Sequence, residues 1–463
     1  MGNLDRSTQR RDFILKENML HVIFIIAIPQ VATMLIDAFY NMADAYFVSQ
    51  IGDAAISAVG VNDSLMHCIR AISLGFGVGS ASFIARALGA KRDEDASRAA
   101  ITTLLTAVGA LTLFALLCSF SLLPLVNFLG ATDAVRPYSM EYARWILISA
   151  PITAGTVCLS QILRSEGNTF FAMMGSVSGC IINLVLDPIF IYTLRLGVAG
   201  AAIATGISKL ISLGILITPF ILRKTVIILR LELFTPTKVI YAEIARMGIP
   251  TMLRAGALSL ANILTYNMAA RFGDVALAAV SVANKSIRFV SAAVMGFGQG
   301  FQPVAGYSWG AKKYSRVLQS LRYTLIIGAV IGIVLGTLLC IFARQVMELF
   351  SSDSAIIALG IIFIRTQSVV LVPHVWGQIL ASFFTALGLS VRAGILGLSR
   401  QLFSLVPSVL ILSYLFGELG LAYAQATADV ITLTLAIVLT MPVVRRVRAL
   451  YQEHEADTVH AGC

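Results

Sequence analysis

The amino-acid sequence predicts an all-α integral membrane protein with twelve transmembrane helices in two pseudo-symmetric six-helix lobes. Three observations lead to this prediction: an apolar composition, a series of long apolar segments, and an internal repeat. Of the 463 residues, 58% are hydrophobic and 13% are charged, whereas a soluble domain carries about 25% charged residues. The composition excludes a disordered chain, a disulfide scaffold and an ordinary soluble globule.

Twelve apolar segments are long enough to cross a bilayer, whose hydrocarbon core needs about 20 helical residues. They begin near residues 20, 54, 99, 140, 168, 198, 241, 275, 321, 358, 393 and 420. The first segment is too long for a signal peptide, and no small-residue cleavage site follows it. The longest internal connection, near residues 223–238, is polar and contains Pro236. We therefore predict an N-lobe over residues 1–222, a cytoplasmic linker over 223–240, a C-lobe over 241–445 and a cytoplasmic tail over 446–463.

The positive charges predict the orientation of these helices. If twelve helices alternate, most basic residues fall on one side of the membrane, which the positive-inside rule makes the cytoplasmic side. Both termini are therefore expected in the cytoplasm, with the protein in the inner membrane. The net charge of +10 is spread over many loops rather than gathered in one patch, so we expect no nucleic-acid partner.

The two halves of the chain repeat at an offset of 221 residues. Gly52-Asp53 recurs as Gly273-Asp274, and Pro29 recurs as Pro250. The triplet Gly75, Gly77, Gly79 recurs as Gly296, Gly298, Gly300, and Gly89-Ala90-Lys91 recurs as Gly310-Ala311-Lys312. Because the offset spans an even number of helices, the repeat is parallel. Parallel repeats relate two lobes by an axis along the membrane normal, with the substrate path between them.

Polar side chains in the first predicted helix indicate a functional site. Asp37, Asn41 and Asp44 follow at i, i+4 and i+7, which places them on one face of a helix. Tyr40 is four residues before Asp44 and can reach its carboxylate. An acidic side chain at a helix centre costs about 2.5–3.5 kcal/mol on insertion scales, so such residues are expected to face an interior.

The fifth and sixth predicted helices carry the matching polar groups. Asn183 and Asp187 share a face at i, i+4, and Pro188 leaves a backbone carbonyl without its usual donor. Thr205 follows a run of small residues on the next helix. Carboxylates, an amide and a hydroxyl suit either a proton or Na⁺. The alternative is that these acids are hydrogen-bonded core residues or lie at helix ends near the interface.

The repeat sharpens this hypothesis, because the second half lacks the acids. Asp44 corresponds to Thr265 and Asp187 corresponds to Ser408 at the same offset. A purely structural acid should recur in both lobes. The asymmetry therefore favours a function for the acids of the first half.

Other ionisable residues inside predicted helices have two interpretations. They either form internal ion pairs, as we favour, or line a cleft and contact substrate, for which Asp37 and Asn41 are also considered. These residues are Asp63, His67, Arg70, Lys285, Arg288, Arg400 and Asp429.

Enzyme motifs are missing from the sequence. There is no G-x-x-x-x-G-K-[ST] loop for an ATP-driven motor, no HExxH and no G-x-S-x-G. The six cysteines show no CxxC spacing. We therefore expect no enzymatic activity, no catalytic residue, no cofactor and no metal beyond a possible Na⁺.

The sequence resembles the MATE (multidrug and toxic compound extrusion) transporters over almost its whole length. The resemblance rests on residues 39–49, 183–191, 88–91 and 200–205. It implies an inner-membrane antiporter that exports amphipathic, cationic compounds in exchange for H⁺ or Na⁺. It also implies a cation site of Asp44, Asn183, Asp187 and Thr205, with Tyr40 nearby. Because Lys285 and Arg288 stand where some branches carry C-lobe carboxylates, we expect the N-lobe type, similar to the DinF-like or MepA-like branches.

Two alternative functions stay open at the level of sequence. One is a flippase for a lipid or lipid-linked sugar of the same superfamily, whose cleft would be rich in Arg and Lys. The other is a channel, which a two-lobe repeat with acids in one lobe disfavours. The expected partners are small-molecule substrates and the lipid bilayer, with no obligate protein partner.

Overall fold

The computed structural model of the protein describes residues 3–49, 53–133 and 135–460, and in these ranges it contains helices and no β-strand. The predicted all-α membrane fold is confirmed. In chain order the helices are α1 (Asn3–Lys16), α2 (Met19–Ser49), α3 (Asp53–Gly89), α4 (Asp93–Phe120), α5 (Leu122–Phe128), α6 (Arg136–Ser165), α7 (Thr169–Pro188), α8 (Gly197–Ile221), α9 (Lys238–Arg271), α10 (Asp274–Gly310), α11 (Tyr314–Ile341), α12 (Ala343–Glu348), α13 (Ser354–Val369), α14 (Leu371–Ala386), α15 (Ser390–Leu398), α16 (Val406–Phe416) and α17 (Glu418–His460).

Twelve spans can be counted among these helices. Ten helical segments of the described ranges are long and apolar enough to cross a membrane, and the pair α13 and α14, bent by 52°, supplies an eleventh. Helix α9 is the twelfth. Its 34 residues exceed the length that a bilayer core of about 30 Å requires, but polar residues such as Glu243 and Arg254 lower its hydropathy.

The internal repeat is visible in the helix boundaries. Helices α3, α4, α5, α7 and α8 begin 221 residues before α10, α11, α12, α15 and α17, respectively. The turns repeat as well: Lys91 and Lys312 both adopt the left-handed backbone region, with φ of 61° and 56°. Sequence duplication has therefore preserved element starts and turn conformations.

By packing, the described residues divide into two compact units. Unit 1 contains residues 1–11 and 32–252, and unit 2 contains residues 12–31 and 253–463. Helix α2 passes from unit 2 to unit 1 just after Pro29, and α9 passes from unit 1 to unit 2 just after Pro250. The predicted lobes place each of these helices in one lobe, whereas the packing divides both at equivalent positions.

Glycines of the repeated triplets allow close helix packing inside each unit. In unit 1, a Cβ atom on Gly79 would collide with the backbone of Ile244. In unit 2, a Cβ atom on Gly300 would collide with Ala27. Small residues let helix backbones approach closely in membranes, so these glycines are packing residues rather than phosphate-binding loops.

The amino-terminal helix α1 is an element that the sequence did not predict. Its last residues, Ile14 and Leu15, are buried. The guanidinium of Arg316 donates to the carbonyl oxygens of Ile14 at 2.7 Å and Glu17 at 2.6 Å, and Lys313 donates to that of Leu15 at 3.2 Å. Basic side chains from the start of α11 therefore satisfy the carbonyls at the end of α1.

The connection between α8 and α9 packs on unit 1. The backbone N–H of Ile228 donates to the Ser97 hydroxyl at 3.1 Å, and that of Thr235 donates to the Thr102 hydroxyl at 3.0 Å. A short 3₁₀ turn, Leu231–Leu233, lies between these two contacts. The predicted linker is thus a docked segment. At the other end of unit 2, α17 continues as a helix through residues 446–460, where a tail is predicted.

Candidate functional site

Asp187 and Asn183 form a hydrogen-bonded pair in the interior of unit 1. The Asn183 Nδ2 donates to the Asp187 Oδ1 at 2.9 Å, as their i, i+4 spacing on α7 predicts. Asp187 is 0% exposed and Asn183 is 2% exposed. The Asn183 Oδ1 is buried and has no hydrogen-bond partner among the described residues. The pair therefore presents oxygen atoms in a site that is closed to solvent.

A π-helical segment, Ile189–Thr193, follows directly after Pro188 and ends this helix. Proline has no N–H to donate, so the carbonyl of Leu184 loses its usual helical partner. Single-turn π segments inside α-helices are frequent at functional sites. Here the segment carries Tyr192, whose hydroxyl donates to the backbone carbonyl of Phe47 near the end of α2 at 2.8 Å. The segment after Asp187 is thereby bonded to the helix that carries Asp37, Tyr40 and Asp44.

Thr205 lies on α8, which packs against α7. Its side chain is buried and its hydroxyl donates to the carbonyl of Ala201, one turn earlier, at 2.9 Å. The hydroxyl oxygen keeps its lone pairs for a cation. Gly200 allows α8 to approach the π segment, since a Cβ there would lie 2.7 Å from the carbonyl oxygen of Phe190.

The predicted stripe on α2 is divided between two environments. Asp37 forms an ion pair with Arg70 of α3, with 2.8 Å between Oδ2 and the guanidinium nitrogen. The Asn41 amide donates to the backbone carbonyl of Asp37. Tyr40 is partly buried, and the side chain of Asp44 lies outside the described residues. Asp37 is thus an ion-pair partner, and the placement of Asp44 stays a prediction.

The other predicted residues of unit 1, Asp63 and His67, lie on α3. Both are exposed, and their charges interact across one helical turn. Neither forms an ion pair with Asp37 or Asp187 among the printed contacts of the described chain. They therefore line the exposed face of α3 rather than the buried pair.

Unit 2 holds a buried carboxylate with basic partners. Asp429 of α17 accepts from Arg400 at 2.7 Å and from the ring nitrogen Nδ1 of His374 at 3.1 Å. Arg400 lies in a second π segment, Ser399–Leu405. Lys285 and Arg288 are exposed on α10. The internal ion pairing that we favour for Arg400 and Asp429 is present, whereas Lys285 and Arg288 form no ion pair with a described residue.

Glu166 is a functional acid that the sequence did not single out. It lies between α6 and α7, is 1% exposed, and accepts from the backbone N–H of Val226 at 3.1 Å and of Ile227 at 3.4 Å. Burial raises the pKa of Glu166 to about 7, against the opposing charge of Arg10 and these hydrogen bonds. The signal was weak because a single acid in a short connection usually lies on a solvated surface.

Within the described residues, the buried pair of unit 1 can bind a small cation. A carboxylate in low dielectric takes up a proton more readily, and its oxygens with an amide oxygen can also hold Na⁺. Half-helix ends and irregular backbone are where transporters place their coupling ions. The π segment after Pro188 supplies such a backbone.

Comparisons with known proteins agree with this architecture. The MatE family model matches residues 29–189 and 250–410, which are the two repeats. The multidrug export protein MepA of Staphylococcus saprophyticus is 24% identical over 88% of this chain and 90% of its own length. MepA of Staphylococcus haemolyticus is 25% identical over 89% of this chain and 91% of its own length. A crystal structure of a MATE protein in the straight conformation has a TM-score of 0.89 at 28% identity, over 95% of this chain and 98% of that one.

The two-repeat helical fold with an interior acid site therefore defines a multi-pass membrane transporter, not an enzyme. The chain belongs to the MatE family, and within it to the transporters of the MepA type.

Proposed function

We propose that this protein is a secondary active multidrug exporter that exchanges amphipathic organic compounds for H⁺ or Na⁺. Relatives that cover about nine-tenths of the chain are multidrug export proteins. The observation that carries the coupling part of the proposal is the buried pair of Asp187 and Asn183. It uses no cofactor; the coupling ion is the co-substrate.

The coupling ion binds at Asp187 and Asn183, with Thr205, Asp44 and Tyr40 completing the site. Neutralising Asp187 changes the charge next to the π segment, whose Tyr192 is bonded to the Phe47 carbonyl of α2. Ion binding thereby biases the packing of the part of α2 after Pro29. A transporter needs such a two-state element, because a ligand shifts a conformational equilibrium only through its differential affinity for the two states.

The protein resides in the inner membrane with both termini in the cytoplasm. The basic residues of the connections support this orientation through the positive-inside rule. A cysteine-accessibility measurement on single-cysteine variants placed in the α4–α5 connection and in residues 223–237 tests it. Labelling of the 223–237 site from outside intact cells would contradict the orientation.

Dye efflux from cells expressing Asp187→Asn tests the role of the buried pair. We expect efflux to fall to the level of cells without the transporter, while the matched control Ser408→Ala, at the repeat-equivalent position, exports normally. Full efflux by Asp187→Asn at normal expression would reject the assigned role. Proteoliposomes with independently imposed pH and sodium gradients then identify the coupling ion.

A flippase for a lipid or lipid-linked sugar is a second candidate, favoured by the basic residues inside the units. Lys209 of α8 is partly buried and makes no hydrogen bond or ion pair with a described residue. Arg70, Lys285, Arg288 and Arg400 add to this positive charge. Transfer of labelled phosphatidylglycerol between leaflets, without gradient-driven export of any dye, would favour the flippase over the exporter.

A further inference from the structure

The membrane-spanning helices of unit 2 carry an excess of positive charge. Near the middle of these helices lie Arg254, Lys285, Arg288, Arg365 and Arg400, while Asp429 is the one carboxylate at such depth among the described residues of this unit. Basic residues within membrane helices are costly and mark substrate pathways unless they are paired. The question is therefore which of these cations Asp429 neutralises.

Asp429 is already saturated by two partners. Its Oδ1 accepts from the Nε of Arg400 at 2.7 Å and from the Nδ1 of His374 at 3.1 Å, while its Oδ2 accepts from a terminal nitrogen of Arg400 at 3.3 Å. Only 9% of the Asp429 side chain is exposed, against 24% for Arg400. The carboxylate thus compensates one full positive charge and has little capacity for a second.

Arg254 is the cation next to this cluster that remains without compensation. It lies at the middle of α9 and is partly buried. Its stem packs on Gly397, where a Cβ atom would lie 2.9 Å from the Arg254 Cδ. Gly397 is one turn before Arg400, so the two guanidinium groups are close enough for their charges to repel. Arg254 makes no hydrogen bond or ion pair with any residue that the structure describes.

Two guanidinium groups, a histidine and one carboxylate make a site that lacks one negative charge. Guanidinium groups bind carboxylate, phosphate and sulfonate groups through paired N–H donors, and such bonds are among the strongest in proteins. An organic cation at this position would instead add to the repulsion between the two arginines.

We propose that Arg254 and Arg400 receive the anionic group of an amphipathic substrate, so that this exporter takes anionic or zwitterionic compounds rather than purely cationic ones. This inference rests on the proposed export function and specifies its substrate class. The anion is a carboxylate, sulfonate or phosphate group attached to an apolar body. It can belong to a soluble compound or to a lipid.

Binding of a matched pair of fluorescent probes to the purified full-length protein tests the proposal. The anionic probe is dansyl-aminoundecanoate, and the cationic probe is the same dansyl chain ending in trimethylammonium. We expect the anionic probe to bind more tightly, and Arg254→Met to weaken its binding by roughly tenfold or more, as for the loss of a hydrogen bond to a charged group. Arg254→Lys should retain part of the affinity.

Arg365→Met is the matched control, because Arg365 is an exposed cation of the same unit that is not bonded to Asp429. It should bind the anionic probe as the wild type does. Equal loss in Arg254→Met and Arg365→Met would show a general effect of charge and overturn the proposal. Tighter binding of the cationic probe, unchanged by Arg254→Met, would overturn it as well.

Competitors distinguish the source of the anion. Displacement of the probe by dodecyl phosphate but not by phosphatidylglycerol indicates a soluble amphiphile, whereas displacement by phosphatidylglycerol indicates a lipid headgroup. Displacement by inorganic phosphate alone at millimolar concentration, with no added effect of the alkyl chain, contradicts an amphipathic substrate.

Transport separates this inference from the proposed function. If gradients drive neither probe across a proteoliposome membrane while binding depends on Arg254, export is wrong and the anion site stands. If gradients drive the cationic probe alone, export stands and the anion site is wrong.

Discussion

The two units differ most in the charges that surround their buried carboxylates. In unit 1, Asp187 is bonded to the neutral amide of Asn183 at 2.9 Å. In unit 2, Asp429 is bonded to Arg400 at 2.7 Å and to His374. An acid with a neutral partner can exchange a small cation, whereas an acid held by an arginine is neutralised permanently. The comparison indicates that the repeat kept one scaffold and that its halves acquired different charge chemistry.

The largest expected effect is the loss of coupled transport in Asp187→Asn. Asparagine keeps the shape of the side chain but cannot carry the charge that the coupling ion neutralises, so we expect gradient-driven transport to fall by roughly a hundredfold or more. The rate is measured in proteoliposomes with an imposed ion gradient. Ser408→Ala, at the equivalent position of unit 2, should keep its rate. Comparable losses in both variants would remove the distinction between the units.

The next effect is on stability and belongs to unit 2. Asp429→Asn leaves Arg400 and His374 without their counter-charge, and breaking a buried ion pair in this way costs about 3 kcal/mol. We expect a lowered melting temperature in detergent for Asp429→Asn and little change for Ser208→Ala, which stands 221 residues earlier. If Asp429→Asn melted with the wild type, the ion pair would have no structural role.

The duplicated scaffold predicts equal effects in both units. Gly79→Ala and Gly300→Ala each place a Cβ against the backbone of a neighbouring helix, and overpacking of this kind costs about 1–3 kcal/mol. Gly109→Ala and Gly256→Ala, where nothing lies within 4 Å of the new Cβ, are the matched controls. Thermal unfolding of the four variants checks this expectation. A cost at Gly79 without one at Gly300 would show that the two packing seams are not equivalent.

The smallest effect concerns Glu166, whose equivalent position in unit 2 is the apolar Leu387. Because the pKa of Glu166 rises from 4.5 to about 7 when it is buried, the docked segment binds the proton more tightly than the undocked one. Docking is therefore strongest below pH 4.5 and weakens as the pH rises through about 7, where a charge must stay buried.

Hydrogen exchange of residues 225–235 measures this docking. After correction for intrinsic rates, we expect exchange to be roughly severalfold faster at pH 8 than at pH 6 in the wild type. Glu166→Gln should show no such difference. The same pH dependence in Glu166→Gln would assign the titration to another group.

The repeat made most of the fold predictable. A single offset, found in glycine and proline positions, gives the starts of five helix pairs. Helix α1 escaped prediction because its polar sequence becomes helical only where Arg316 and Lys313 bind its last carbonyls. The passage of α2 and α9 between units also could not be predicted, since hydropathy does not specify which neighbour a helix packs against.

The site was predictable where its residues share one helix. The spacing of Asn183 and Asp187 gave their contact, whereas the pairing of Asp37 with Arg70 depends on how α2 packs against α3. Arg254 was missed for a related reason. Its sequence neighbours do not reveal that Gly397 and Arg400 lie beside it, or that Asp429 is already occupied.

Displacement of the coupling ion by substrate is the most direct test that the ion site belongs to unit 1. The purified wild type, Asp187→Asn and Asp429→Asn are titrated with a transported dye while released protons are followed with a pH indicator and released ²²Na⁺ by filtration. We predict ion release from the wild type and from Asp429→Asn, and none from Asp187→Asn. Release that persists in Asp187→Asn but disappears in Asp429→Asn would place the site in the other unit and contradict the account.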